Sequence, residues 1–181
     1  VGSGMGAPAA SGGRIVIFHR LGEKETGECR DAATGKSHWK FDYEAPYRPR
    51  YGGGSGPRTS PVIAAGRVFV FGVSGRMHCL DLASGKVIWE QDCSREYSMR
   101  PAFFGFGSTP LVMGNRIIVQ LGGMHEGKAV NSVAFDVATG KLLWAAAHEW
   151  GASYASSIPA KLHGRECVLV FAGGMSRPAT G

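Results

Sequence analysis

A nine-residue pattern occurs three times in register in this chain: DAATGKSHW at Asp31–Trp39, DLASGKVIW at Asp81–Trp89 and DVATGKLLW at Asp136–Trp144. All three read D-x-x-[T/S]-G-K-x-x-W. Catalysis rarely needs three copies of one group, whereas a repeated architecture does. The residue types describe a hairpin turn running into a strand. Asp31, Asp81 and Asp136 can accept backbone N–H groups of the residues that follow, and Thr34, Ser84 and Thr139 can do the same more weakly. Gly35, Gly85 and Gly140 supply a turn position that needs positive φ. Lysine then opens a strand on which a charge stays solvated and discourages edge pairing. Trp39, Trp89 and Trp144, three residues on, lie on the opposite strand face and suit burial.

A second spacing has the same period. Pro8, Pro61, Pro110 and Pro159 each precede an arginine (Arg14, Arg67, Arg116, Arg165) by six residues, and each arginine opens a β-rich run. The prolines are 53, 49 and 49 residues apart and the tryptophans 50 and 55. Between these markers a unit reads as four short strands with short connections, which pair antiparallel. With 28 glycines, 9 prolines and 19% charged residues, the composition suits strands and tight turns rather than a helical bundle. Four-stranded antiparallel units at this period predict an all-β fold, a β-propeller. The blades fall near 5–43, 58–93, 107–148 and 156–181, the last incomplete. Rings hold about 4–8 blades, so 181 residues are expected to form a partial ring of about three and a half blades. The remaining blades would then be its neighbours. An open arc is expected to leave strand edges and an apolar blade face in water.

The pattern at Asp31–Trp39, Asp81–Trp89 and Asp136–Trp144 resembles the tryptophan-docking repeat of quinoprotein (PQQ-type) β-propellers. That repeat occurs both in PQQ-dependent alcohol dehydrogenases and in non-catalytic relatives such as the outer-membrane assembly lipoprotein of the β-barrel machinery. The linking segments GPRTSPVIAAGRVFVFG and GFGSTPLVMGNRIIVQLGG are similar in style to bacterial PQQ-like repeat proteins. The resemblance implies a periplasmic or secreted location. No signal peptide is visible, and the chain begins at Val1 rather than Met.

Propeller geometry sends successive connections to opposite faces. The first-to-second and third-to-fourth strand turns are short and uniform. The blade-to-blade crossings and second-to-third strand loops are longer: Leu21–Glu28, Tyr43–Arg58, Cys93–Gly107, Gly122–Lys128 and His148–Ser156. Ligand sites on rigid scaffolds favour such loops. They carry Arg48, Arg50, Tyr51, Arg58, Arg95, Tyr97, Arg100, His148, Glu149, Trp150 and Tyr154. Arginines among aromatic residues suit a small anionic or planar ligand or a protein partner. Gly52–Gly56 lacks the Lys-Ser/Thr ending and the following helix of a phosphate loop.

Other chemistries are poorly supported. The net charge of +6 comes from scattered Lys and Arg and predicts a solvated basic surface, not a nucleic-acid groove. No apolar run approaches the length of a membrane-spanning helix. Cys29, Cys79, Cys93 and Cys167 have no metal-ligand spacing, and the six histidines have none either. Cys29 and Cys79 stand two residues before the repeated aspartate, where the third copy has Ala134, and are expected to be small buried side chains. The dehydrogenase resemblance implies PQQ with calcium or a lanthanide, held by acidic and amide side chains, an aspartate base and often a disulfide between adjacent cysteines. The chain has no Cys-Cys pair, its repeated aspartates are used by turns, and nothing in context selects Asn131 or Glu149 as ligands. The expectation is a non-enzymatic binding or assembly scaffold with no cofactor and no metal. A PQQ-dependent alcohol or sugar dehydrogenase completed by further blades is the alternative. A sensor or interaction domain fused to another module, such as a kinase, is a third.

Overall fold

A computed structural model describes residues 1–49, 54–99, 104–147 and 149–172. The first sheet contains β1 (Ala9–Ser11), β2 (Arg14–Leu21), β3 (Lys24–Asp31) and β4 (Ser37–Glu44). The second contains β5 (Val62–Ala64), β6 (Arg67–Phe71), β7 (Arg76–Asp81) and β8 (Val87–Asp92), and the third β9 (Leu111–Met113), β10 (Arg116–His125), β11 (Lys128–Asp136) and β12 (Leu142–Ala147). A pair, β13 (Ile158–Leu162) and β14 (Arg165–Leu169), follows. Within each sheet consecutive strands pair antiparallel in simple sequence order. These are propeller blades set in an open arc. The opening strands of the three sheets are equally brief, at three residues each.

The core lies between sheets because strand alternation sends every second side chain to each face. Val16, Phe18, Cys29, Trp39 and Tyr43 of the first sheet meet Val68, Val70 and Leu80 of the second. Phe69, Phe71, Met77, Cys79 and Trp89 leave the other face of the second sheet and meet Ile117, Val119, Leu121, Val133 and Phe135 of the third.

The three repeated turns share one geometry. In the first, Oδ1 of Asp31 accepts the N–H groups of Ala33 (3.1 Å) and Thr34 (2.7 Å) and the Thr34 hydroxyl (2.8 Å). That hydroxyl also accepts the Lys36 N–H at 3.3 Å, so threonine bridges the turn instead of merely supplementing the aspartate. The Thr34, Ser84 and Thr139 hydroxyls hold the three aspartate carboxyls below their ordinary value of 3.8. Gly35, Gly85 and Gly140 have φ of +72°, +73° and +71°. The tryptophans then reach the next sheet. Trp39 Nε1 donates to the Leu82 carbonyl at 3.0 Å and its ring lies on Gly85, while Trp89 Nε1 donates to the Val137 carbonyl at 3.0 Å and its ring lies on Gly140. Each is 8% exposed, whereas Trp144 is 37% exposed. Cys29, Cys79 and Ala134 are the cross-strand partners of the three tryptophans, which explains why small residues stand there.

Two expected loops are hairpins. Leu21 pairs with Lys24 and His125 with Lys128, so Leu21–Glu28 and Gly122–Lys128 are mostly strand around two-residue turns. Glu126 and Gly127 have φ of +48° and +74°, which matches the right-handed strand twist. The crossing after β8, expected as loop over Cys93–Gly107, opens instead with one helical turn, α1 (Cys93–Glu96). The Asp92 side chain caps it by accepting the Arg95 N–H.

Candidate functional site

The true long segments are the three crossings between sheets, and buried polar side chains of the strands fasten them. Arg20, at the end of β2, is 4% exposed. Its Nε donates to the Ser55 carbonyl at 2.8 Å and its Nη2 to the Ala45 carbonyl at 2.5 Å, so it holds both ends of the first crossing. In the third sheet Gln120 accepts the Ser153 N–H and donates to the Ala155 carbonyl, and Asn131 Nδ2 donates to the Trp150 and Gly151 carbonyls. Sequence reasoning missed Arg20 and Gln120. Their signal was a polar residue inside an apolar strand run, "IVIFHRL" and "IIVQL".

A buried carboxylate sits beneath the first crossing. Glu25, 0% exposed, accepts the Tyr43 hydroxyl at 2.5 Å and the Val73 N–H at 3.1 Å. Burial pushes the Glu25 carboxyl up, against those two hydrogen bonds, and pushes the Tyr43 phenol well above its ordinary value. Gly72 is required beside this pair, because a Cβ there would lie 2.0 Å from the Tyr43 hydroxyl. These contacts engage both carboxylate oxygens of Glu25.

Above this layer the crossings are tied to one another. Arg58 donates from Nε to the Phe104 carbonyl and from Nη1 to the Gly56 carbonyl, both at 3.1 Å. The Tyr154 hydroxyl accepts the Phe104 N–H at 2.7 Å, and the two rings lie 6.0 Å apart. Gly107 lets them approach, since a Cβ there would be 2.8 Å from the Tyr154 ring. Three crossings therefore meet at Arg58, Phe104 and Tyr154. The two rings keep 42% and 45% of their surface in water, whereas Arg58 Nη2 is buried from solvent, without a hydrogen-bond partner among the described residues. Two half-exposed rings held on fixed crossings can take a planar group.

Of the expected face residues, the structure brings together Arg58 and Tyr154. Arg48 is 90% exposed, 3.9 Å from Glu23, and Arg95 is exposed on α1. Tyr97 is not a surface residue. It is fully buried in the core between the second and third sheets, because α1 and the turn after it fold the chain inward. Glu149 and Trp150 are exposed near a groove of about 380 Å³ lined by Asn131, Trp144, Trp150, Val168 and Val170. Arg50, Tyr51, Arg100 and His148 lie outside the described residues.

Among the described residues the side chains fall short of a set that would hold a quinone-bound metal ion. Among the described residues no three His, Cys, Asp or Glu side chains converge on one point. The amide oxygen of Asn131 accepts the Ser132 hydroxyl while its nitrogen is spent on the third crossing. Cys79 and Cys93 are buried thiols; burial pushes Cys79 up to about 12 and Cys93 higher still.

Comparison with known proteins agrees with this architecture. The quinohemoprotein alcohol dehydrogenase ADH IIB of Pseudomonas putida is 32% identical over 118 residues, which is 63% of this chain and 16% of that enzyme. The chain thus spans about a sixth of the length of this curated relative. Among solved structures, BamB from Moraxella catarrhalis superposes with a TM-score of 0.52 at 22% identity, covering 78% of this chain and 36% of that one. A europium-containing methanol dehydrogenase superposes with a TM-score of 0.57 at 17% identity, covering 83% of this chain and 25% of that one. A PQQ-repeat family model described as outer membrane protein assembly factor BamB matches residues 23–177, and the chain belongs to that family.

Proposed function

We propose that this chain is the non-catalytic, partner-binding part of a PQQ-like propeller in the bacterial cell envelope, periplasmic or secreted, and that its tryptophans dock successive blades. The long-loop face would take a protein partner or a small planar anion. The observation that carries this reading is the knot at Arg58, Phe104 and Tyr154. Three crossings are fixed there with aromatic surface still exposed, a combination that favours recognition without large ordering costs. The carboxyl and amide groups of the type that hold a quinone and its metal serve the fold instead: three aspartates in turns, Glu25 on Tyr43 and Val73, Asn131 on a crossing.

The test uses the full-length protein that contains this chain. A photo-crosslinking residue at position 104 should capture one defined envelope protein, and Arg58→Glu should abolish the capture. The dehydrogenase reading is favoured by the 32% identity to ADH IIB. It predicts that the same protein, supplied with PQQ and calcium or a lanthanide, binds quinone and reduces an electron-accepting dye with alcohols. Quinone-dependent dye reduction would overturn the scaffold reading.

A further inference from the structure

Small residues stand immediately before Pro8, Pro61 and Pro110. In the structure they make a series of contacts between sheets. The Ala7 N–H donates to Ser60 Oγ at 2.9 Å, the Ser60 N–H to Thr109 Oγ1 at 3.1 Å, and the Thr109 N–H to Ser156 Oγ at 3.0 Å. Every bond runs from one sheet to the next in the same direction. Ala7, Ser60 and Thr109 each stand immediately before a proline, and Ser156 three residues before Pro159.

We infer that Ser60, Thr109 and Ser156 are a second set of inter-sheet pins, placed on the opening-strand side of the arc, which hold the roots of the crossings in register independently of the tryptophans on the fourth strands. Position supports this. The opening strands pack against one another, β1 on β5, β5 on β9 and β9 on β13. Three of them are three residues long and have little hold on their own sheets. A neighbouring hydroxyl completes the attachment within each sheet or to its neighbour: Thr59 Oγ1 donates to the Phe71 carbonyl at 2.6 Å, and Ser157 Oγ lies 3.3 Å from Gln120 Nε2. Paired hydroxyls at Thr59-Ser60 and Ser156-Ser157 thus divide the work, and Ser108-Thr109 repeats the pair with Ser108 buried. The pins also sit within three residues of Arg58, Gly107 and Tyr154, so they fix the bases of the loop platform.

The direction of the bonds makes the inference testable whether or not the loop face binds anything. A hydroxyl removed from one sheet must release an amide in the sheet before it. Thr109→Val in this chain should speed hydrogen exchange of the Ser60 amide about threefold to tenfold, as for loss of one ordinary hydrogen bond. Thr109→Ser should restore it, and the Val119 amide in the third sheet should not change. If Thr109→Val does not fold, Ser156→Ala read at the Thr109 amide makes the same measurement. An unchanged amide in the preceding sheet, or equal release throughout the third sheet, would overturn the assignment.

Discussion

Trp89 and Trp144 occupy equivalent positions but do different things. Trp89 is 8% exposed and bonded to the Val137 carbonyl; Trp144 is 37% exposed at the edge of a groove. Trp89→Ala should therefore lower unfolding free energy by about 3–5 kcal/mol, as other large buried aromatic truncations do. Trp144→Ala should cost below about 1 kcal/mol, both measured by urea unfolding with tryptophan fluorescence. Comparable losses would mean that burial does not separate the two. His78 gives a second test. It lies 2% exposed between the rings of Phe41 and Tyr43, with centroids at 5.0 and 4.3 Å. Burial, aided by the Arg76 charge, pushes its imidazole down to about 4, although the Glu90 carboxylate lies 3.5 Å from Nε2. An unfolded histidine takes its proton near 6.5, so between pH 6.5 and about 4 the unfolded chain binds the extra proton and stability falls as pH falls. Wild type should lose up to about 3 kcal/mol across that window. His78→Leu should lose distinctly less between the same two pH values, and equal losses would exclude His78 as the cause.

The repeated turn combines two demands on one glycine that can be separated. Gly35 and Gly85 have the same φ, +72° and +73°. A Cβ at Gly35 would meet nothing within 4 Å, whereas one at Gly85 would lie 2.6 Å from the Trp39 ring. Gly35→Ala should cost about 1–2 kcal/mol for the left-handed backbone alone. Gly85→Ala should cost about 1–3 kcal/mol more, because the ring must shift out of a packed interface. Thermal unfolding of the two variants reads that difference, and its absence would mean that Trp39 does not press on the turn. Turns and strands of this kind were legible in the sequence because their determinants are local: Asp31 to Gly35 lie within one hydrogen-bonded loop, and Trp39 alternates with Lys40 along one strand. The crossings were not legible in the same way. Ser55 is set by Arg20, thirty-five residues away, and Phe104 by Tyr154, fifty residues away, and neither pairing leaves a periodic trace. Tyr97 was misplaced for the same reason, since burial of its ring depends on how α1 packs on β7 and β10. The long hairpin at Gly122–Lys128 was mistaken for a loop because its glycines concealed continued pairing past the bulge near Gly123.

Across the whole molecule the two ends of the arc differ in chemistry. At three positions fixed by the repeat, the first sheet carries Glu28, Arg30 and Lys40, the second His78, Leu80 and Glu90, and the third Val133, Phe135 and Ala145. In the second and third sheets the buried members of these sets pack on the preceding sheet. In the first sheet they form a charge cluster instead. Glu28, 1% exposed, lies 3.0 Å from Arg30, 3.5 Å from Lys40 and 3.6 Å from His19. Burial works to raise the Glu28 carboxyl, but hydrogen bonds from Arg30 and Ser37 and the nearby cations prevail and hold it low. Among the described residues the expected apolar face in water is thus absent at this end and present at the other, where Trp144, Ile158, Leu169 and Phe171 are all exposed. There β14 pairs with β13 on one side and has no partner strand on the other among the described residues. An unpaired, apolar edge is a template for another chain, whereas a charged sheet face resists one. Self-association of residues 1–181 taken alone should therefore run through the β14 edge described here. In sedimentation velocity over a concentration series, Leu169→Lys should reduce the rise in sedimentation coefficient, because a charge on the edge must be desolvated for a second strand to pair. Lys40→Glu, at the opposite end, should leave the series unchanged. If Lys40→Glu alters association and Leu169→Lys does not, the charged sheet is the adhesive end, and the assignment of the two ends must be reversed.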